Sequence, residues 1–354
     1  MSHDKMHAVV IYGKENFKFE EVTKPKPGPE EVLVKIGRCG ICAADPKIFH
    51  GLAYFSPIVY KNAPIVAGHE FVGEVIELGP GAAEKYGLEV GDKAIMENIV
   101  PCWECYYCKR GFYNLCDRHY VPGVRGVNGG WAEYMLYPRG SIIHKVPREL
   151  PWEAAVLIEP LACAIHGVQR VGINFDDVVV ILGVGPIGLL MLEATKLKNP
   201  KMIIVASTND NRLRVAKELG ADLAINPNKE DLVEIVKKET NGIGADVVLE
   251  AAGTPRAIED AVNLLRKRGR LLVFGVYSEK TTIDFSIISD IKELEIFGAH
   301  LGLYAYPSAI RLLQEGHVNY QKIVTHNIPL KDWKNAIEIA EKRLEGSIKV
   351  TMTP

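Results

Sequence analysis

Val178-Val179-Val180-Ile181-Leu182-Gly183-Val184-Gly185-Pro186-Ile187-Gly188 sets five apolar residues ahead of a G-x-G-x-x-G turn, with the helix-like run Pro186 to Leu197 behind it. Strand, tight turn and helix start arrive in the order a dinucleotide fingerprint requires. Gly183 permits the turn, Gly185 lets backbone approach a pyrophosphate, and Gly188 lets helix pack on strand, with the helix N-terminus facing the phosphates. Outward from this stretch the rhythm repeats: MIIVAS from Met202, NRLRVAKELGA from Asn211, ADVVLEAAG from Ala245 and RLLVFG from Arg270. Buried strands alternating with amphipathic helices predict a parallel sheet covered on both faces, the doubly wound Rossmann arrangement.

About 20 residues past the glycines, at the end of the second strand, such folds carry an acid for the ribose hydroxyls. Here the positions are Ser207-Thr208-Asn209, neutral, with Asp210 slightly late and Arg212 and Arg214 following. Without the carboxylate a 2′-phosphate is not repelled, and a guanidinium could attract it. NADP, or use of both NAD and NADP, is therefore favoured over NAD alone. The competing reading leaves both arginines on a solvated helix face.

Before this region the chain changes character. HAVVIY, EVLVKIG, EFVGEVIELG, DKAIM and AEYMLYP are short strand-like runs broken by Gly and Pro, which predicts a mostly antiparallel, barrel-like domain. The tail mixes a strand-like ELEIFGAH, helical PSAIRLLQEG and LKDWKNAIEIAEKRL, and strand-like SIKVTM, and is expected to rejoin the first domain. The division expected is 1–155 with 296–354, and 156–295 for the nucleotide domain. A net charge of −2 argues against a nucleic-acid or membrane surface. No run nears the roughly 18 apolar residues of a spanning helix, and no signal peptide is read at the start, so a cytoplasmic location is expected.

Of seven cysteines, Cys102, Cys105, Cys108 and Cys116 lie in one CxxCxxCx7C cluster, a pattern that fits metal ligation in a reducing compartment better than disulfides. Zinc held by four thiolates has no open position, so this cluster, in the loop 101–119, should be structural. A nucleic-acid-binding ribbon would need a basic surface. The loop sets only Lys109, Arg110 and Arg118 against Glu104 and Asp117. A second, open site could draw on Cys42 in GICAAD, His69-Glu70 in AGHEFVGEV, and Glu159 in IEPLACAIHG, which offer sulfur, nitrogen and oxygen donors. Cys39 reads as core.

Taken together, GICxxD, GHEFxGxV, the four-cysteine loop, EPLxxxxHG, VxxxGxGPIG, KELGAD and VTHxxPL resemble the zinc-dependent medium-chain alcohol and polyol dehydrogenases over essentially the whole length. The resemblance implies an α/β protein with a GroES-like barrel and a Rossmann domain, carrying two zinc ions per subunit, one catalytic and one structural. It implies that Cys42, His69, Glu70 and Glu159 approach the catalytic zinc, with either carboxylate direct or through water, and that Asp45 orients His69. It matches Gly183, Gly185, Pro186, Ile187, Gly188, Ser207, Thr208, Asn209, Arg212, Phe274-Gly275-Val276 and Phe297-Gly298-Ala299 to cofactor contacts. The implied reaction is hydride transfer between a secondary hydroxyl of a polyol or sugar alcohol, or the matching ketose, and NAD(P). The implied assembly is a homotetramer, or a dimer.

Two departures stand out. Where the family has Ser or Thr two residues after the cysteine and often His five after it, this chain has Ala44 and Lys47. Lys47, a water on Glu159 or a second substrate hydroxyl could complete the proton path, with His50 a further candidate. Threonine 3-dehydrogenase and other secondary alcohol dehydrogenases are the enzyme alternatives; a silent zinc- and cofactor-binding structural protein is the non-enzyme one. Substrate choice is expected to lie with residues such as Tyr54, Phe55, His300 and Tyr304.

Overall fold

The computed structural model describes residues 4–354, which form two compact units. The first comprises the chain through Glu159 with Tyr306–Gly316 and Tyr320–Pro354; the second comprises Pro160–Ala305 with His317–Asn319.

In the first unit a large sheet runs Ile143–Val146, Lys93–Met96, Phe71–Leu78, Val32–Gly40, Lys349–Thr353 and Val324–Pro329, and Tyr134–Tyr137 also pairs with Val32–Gly40. All these pairings are antiparallel except that of Val324–Pro329 with Lys349–Thr353. A smaller sheet joins Asn16–Thr23, Lys5–Gly13 and Ile65–Val66. Val32, Val34 and Ile36 alternate inward along the central strand and meet Phe71, Trp131, Met135 and Tyr137 in one apolar core. Cys39 is buried within that core. The C-terminal strand pairs Met352 with Cys39 and Thr351 with Gly40, bringing the end of the chain beside the loop that carries Cys42.

The second unit is a six-stranded parallel sheet ordered Leu223–Ile225, Met202–Ala206, Val178–Leu182, Ala245–Glu250, Leu265–Val273 and Glu295–Gly298. Val178–Leu182 is buried at every position, as a strand covered on both faces must be. Strand order reverses about it, which makes its carboxyl end the crevice where such sheets bind ligands. The tail expected from 296 begins ten residues later, at Tyr306. Glu295–Gly298 extends the parallel sheet, with Leu272 opposite Phe297 and Val273 opposite Gly298. Among the described residues no helix is long and apolar enough to cross a membrane.

Candidate active site

Cys42 lies in the turn between the strand Val32–Gly40 and the short helix Ala44–Phe49, and His69 and Glu70 lie just ahead of the strand Phe71–Leu78. Those two strands are paired, Cys39 opposite Phe71, so residues 27 positions apart in sequence meet at the same sheet end. One ligand atom from each of Cys42, His69 and Glu70 lies within 4.8 Å of the other two. Asp45 Oδ1 stands 3.5 Å from His69 Nδ1 while its Oδ2 accepts from the Cys42 backbone N–H at 2.8 Å. A carboxylate on one ring nitrogen selects the tautomer that leaves the other free to ligate.

Burial alone would lower the His69 pKa, yet Asp45, then Cys42 and Glu70, carry it well above the ordinary histidine range. Such an excess of acidic groups is what a divalent cation neutralises, and the sulfur, nitrogen and oxygen donors suit zinc. Glu159 lies outside the three-residue grouping, in the first turn of the helix Ile158–Val171 and almost fully buried. Its Oε1 accepts from Asn98 Nδ2 at 3.4 Å.

Lys349, absent from the sequence reading, closes the cluster. Its ammonium is fully buried, donates to Ile41 O at 2.9 Å and grips Glu70 Oε2. Burial would lower its pKa, but Glu70, and more weakly Cys42 and Glu159, raise it. Gly40 leaves the space this pair needs, since a Cβ there would sit 2.1 Å from Glu70 Oε2. The available signal was a lysine inside an apolar strand-like run, Ser347-Ile348-Lys349-Val350, which is uncommon unless the charge is paired. His50 sits between Glu15 at 3.3 Å and Glu341 at 3.4 Å, edge-on to Phe49. Lys47 is half-buried on the helix Ala44–Phe49.

The four cysteines Cys102, Cys105, Cys108 and Cys116 bring their sulfurs within 4.8 Å of one another and form no disulfide. Backbone N–H groups already aim at the sulfurs, Cys102 N at Cys116 Sγ (3.2 Å) and Cys105 N at Cys102 Sγ (3.4 Å). The Glu104 N–H contributes most to lowering the Cys102 thiol to about 6, whereas burial, with Cys105 and Cys116 beside it, pushes Cys108 up to about 12. Four thiols brought this close lose their protons when a metal binds, so the metal and the fold of the loop are linked. Cys105→Ser should therefore halve the zinc content and speed tryptic cutting at Lys109 and Arg110 by roughly tenfold, checked by metal analysis and limited proteolysis.

In the second unit Leu182 is in register with both Ala206 and Glu250, Glu250 with Val273, and Val273 with Gly298. Gly183, Ser207, Phe274 and Ala299 each follow this line by one residue, so the expected cofactor positions share one edge. Gly183 has φ +91°, and a Cβ on Gly188 would lie 1.9 Å from Gly183 O. Ile187 is the second residue of the helix Pro186–Lys196, whose N-cap position is Gly185. Glu250, fully buried and also unread from sequence, ties the edge together by accepting from Ala252 N, Gly253 N and Tyr277 OH at 2.7–2.8 Å.

The two arginines part company. Arg214 is exposed and pairs with Glu218 along its helix. Arg212 is 9% exposed, and a Cβ on Gly185 would be 3.6 Å from its terminal nitrogen. Asp210 is held by Asn226 at 2.7 Å and Lys229 at 2.6 Å.

Residues 28–148 match the alcohol dehydrogenase GroES-like domain, and residues 186–315 match the zinc-binding dehydrogenase family. The chain belongs to the zinc-binding medium-chain dehydrogenases. It is 42% identical to an erythritol/L-threitol dehydrogenase of Mycolicibacterium smegmatis, over 99% of this chain and 98% of that one. It is 38% identical to an L-threonine 3-dehydrogenase of Pyrococcus horikoshii, over 93% of each chain. Two solved structures superpose with a TM-score of 0.89. One is a zinc-binding dehydrogenase from Sinorhizobium meliloti bound to NADP, at 29% identity and 99% coverage of each chain. The other is an alcohol dehydrogenase from E. coli CFT073 complexed with NADH, at 31% identity over 99% of this chain and 100% of that one. This medium-chain dehydrogenase is therefore a zinc-dependent NAD(P) enzyme of the polyol or threonine type.

Proposed function

We propose that the protein oxidises a secondary hydroxyl of a small polyol, or reduces the matching ketose, with Cys42, His69 and Glu70 holding the catalytic zinc and Glu159 beside it. The observation that carries this reading is the convergence of those three donors to within 4.8 Å in a group separate from the four cysteines. When bound, the two cofactors supply Lewis acidity towards the substrate oxygen and hydride acceptance at the nicotinamide.

The chain's own groups do the rest. Cys42 and His69 anchor, Asp45 fixes the imidazole, and Lys349 balances Glu70, which leaves a site with one net acid fewer. Glu159, a carboxylate rather than a thiolate, makes a polar wall suited to a hydroxylated substrate. Lys47 is the proposed bearer of the departing proton, in place of the residues Ala44 lacks. A screen of erythritol, threitol, sorbitol, butan-2-ol and L-threonine with each cofactor tests the assignment. Turnover confined to threonine would replace polyol with amino alcohol, the reading favoured by the 38% relative.

For the cofactor, the reading is NADP or dual use, with Arg212 meeting the 2′-phosphate and Gly183, Gly185 and the helix at Pro186 receiving the pyrophosphate. Ser207→Asp should lower kcat/KM for NADP by about a hundredfold, ~2.7 kcal/mol, and spare NAD, as steady-state kinetics would show.

Self-association into a dimer or homotetramer, in a reducing cytoplasm, completes the proposal. It is supported by the edge strand Glu295–Gly298, where Ile296 is 43% exposed. Open, apolar strand edges are ordinarily covered.

A further inference from the structure

Glu250 ends the strand Ala245–Glu250 at the carboxyl edge of the parallel sheet, in register with Leu182 and Val273. It is fully buried and holds two chain crossings at once. Oε1 accepts from Ala252 N at 2.8 Å and Gly253 N at 2.7 Å, in the crossing that follows its own strand. Oε2 accepts from Tyr277 OH at 2.8 Å, and the Glu250 backbone carbonyl accepts from Phe274 N and Gly275 N at 2.9 and 3.0 Å, in the crossing that follows Leu265–Val273. Both side-chain oxygens accept, the arrangement of a carboxylate. Burial, and then Glu250 itself, hold the Tyr277 phenol above its ordinary range, so it remains the donor.

The two crossings abut the glycine turn. Ala251 N donates to Leu182 O at 2.9 Å, and a Cβ on Gly183 would lie 2.9 Å from Ala252 Cα. A Cβ on Gly253 would lie 2.8 Å from Val276 O, and one on Gly275 would lie 2.6 Å from Glu250 Oε2. Gly183, residues 252–253 and residues 274–277 therefore form one contiguous strip outside the carboxyl ends of three adjacent strands, where strand order reverses and such sheets take their ligand. Val276 is exposed on this strip, while Tyr277 lays its ring against the apolar core of the unit and turns its hydroxyl back to Glu250.

We propose that Glu250 and Tyr277 are positioning residues for the cofactor: their hydrogen bond latches the segment 274–277 against the glycine turn and thereby sets the affinity for the dinucleotide. The inference rests on the cofactor reading above and deepens it. A latch acts through populations, because a site held in its binding conformation for only a fraction of the time shows a dissociation constant raised by the inverse of that fraction. The latched segment serves NADH and NADPH alike. Arg212, by contrast, is proposed to meet the 2′-phosphate alone.

Tyr277→Phe tests this, because it keeps the ring on the core and removes only the hydroxyl. Titration by nicotinamide fluorescence should show the dissociation constants of NADH and NADPH both rising about tenfold, as for a latch closed in roughly one molecule in ten. Amide exchange at residues 274–277 should quicken about tenfold in the free variant and return to the wild-type rate when NADPH saturates it. Glu250→Gln keeps a carbonyl oxygen for the two backbone N–H groups and an NH2 that can donate to Tyr277 OH, so it should lose only about two- to threefold in affinity. Unchanged dissociation constants in Tyr277→Phe, whatever its melting temperature, would make the pair a structural brace and overturn the proposal, as would a loss confined to one dinucleotide. A wild-type enzyme that binds neither dinucleotide would instead overturn the cofactor reading, and this inference with it.

Discussion

Cys42→Ala is expected to lower kcat/KM by about 10⁴-fold, ~5.5 kcal/mol of barrier, and to reduce zinc from two ions per chain to one. The thiolate is the softest donor of its cluster, and its removal leaves His69 and Glu70, the latter already engaged by Lys349. Two remaining donors hold a dication weakly. The four-cysteine loop is a separate group of residues and keeps its metal, so the melting temperature should move little. Elemental analysis beside steady-state kinetics reads both numbers. Full activity with two zinc ions retained would remove Cys42 from the metal.

Lys349→Met should destabilise the protein by about 3–5 kcal/mol, the range found when one partner of a buried ion pair is removed. Lys349 and Glu70 side chains are 2% and 3% exposed, so solvent cannot take over as counter-charge. Gly40 and the core strand close the space around them. The zinc proposed at Cys42, His69 and Glu70 would be a second counter-charge for Glu70, so the loss should be greater in chelator-treated protein than in zinc-loaded protein. The double change with Glu70→Gln should recover part of the stability, because no bare carboxylate remains buried. Chemical denaturation of the single and double variants, with and without metal, measures all of these. A destabilisation below about 1 kcal/mol in the chelated protein would mean Glu70 is solvated or protonated rather than paired.

How much could be read beforehand follows from how local each signal is. Val178 to Gly188 encodes its strand, turn and helix start within one stretch, and the parallel sheet forms around it as the alternation implied. The four cysteines are likewise adjacent in sequence, and their spacing alone brings the sulfurs together. Cys42 and His69-Glu70 needed the pairing of two strands, which individual residues did not reveal and the motif resemblance did. Lys349 was missed because its role depends on the C-terminal strand lying against Val32–Gly40, a pairing no local pattern specifies. ELEIFGAH reads as a strand but joins the parallel sheet rather than the tail's, since alternation says that a segment is a strand and not which sheet it joins. Arg212 and Arg214 could not be separated by charge; their different burial comes from helix phase against the glycine turn.

X-ray absorption at the zinc edge on the fully active enzyme probes the central claim most directly. Two environments are expected in equal amounts, one of four sulfurs and one of a single sulfur with nitrogen and oxygen neighbours, the second lost in Cys42→Ala. A spectrum from the active wild-type enzyme explained by four-sulfur zinc alone would contradict it.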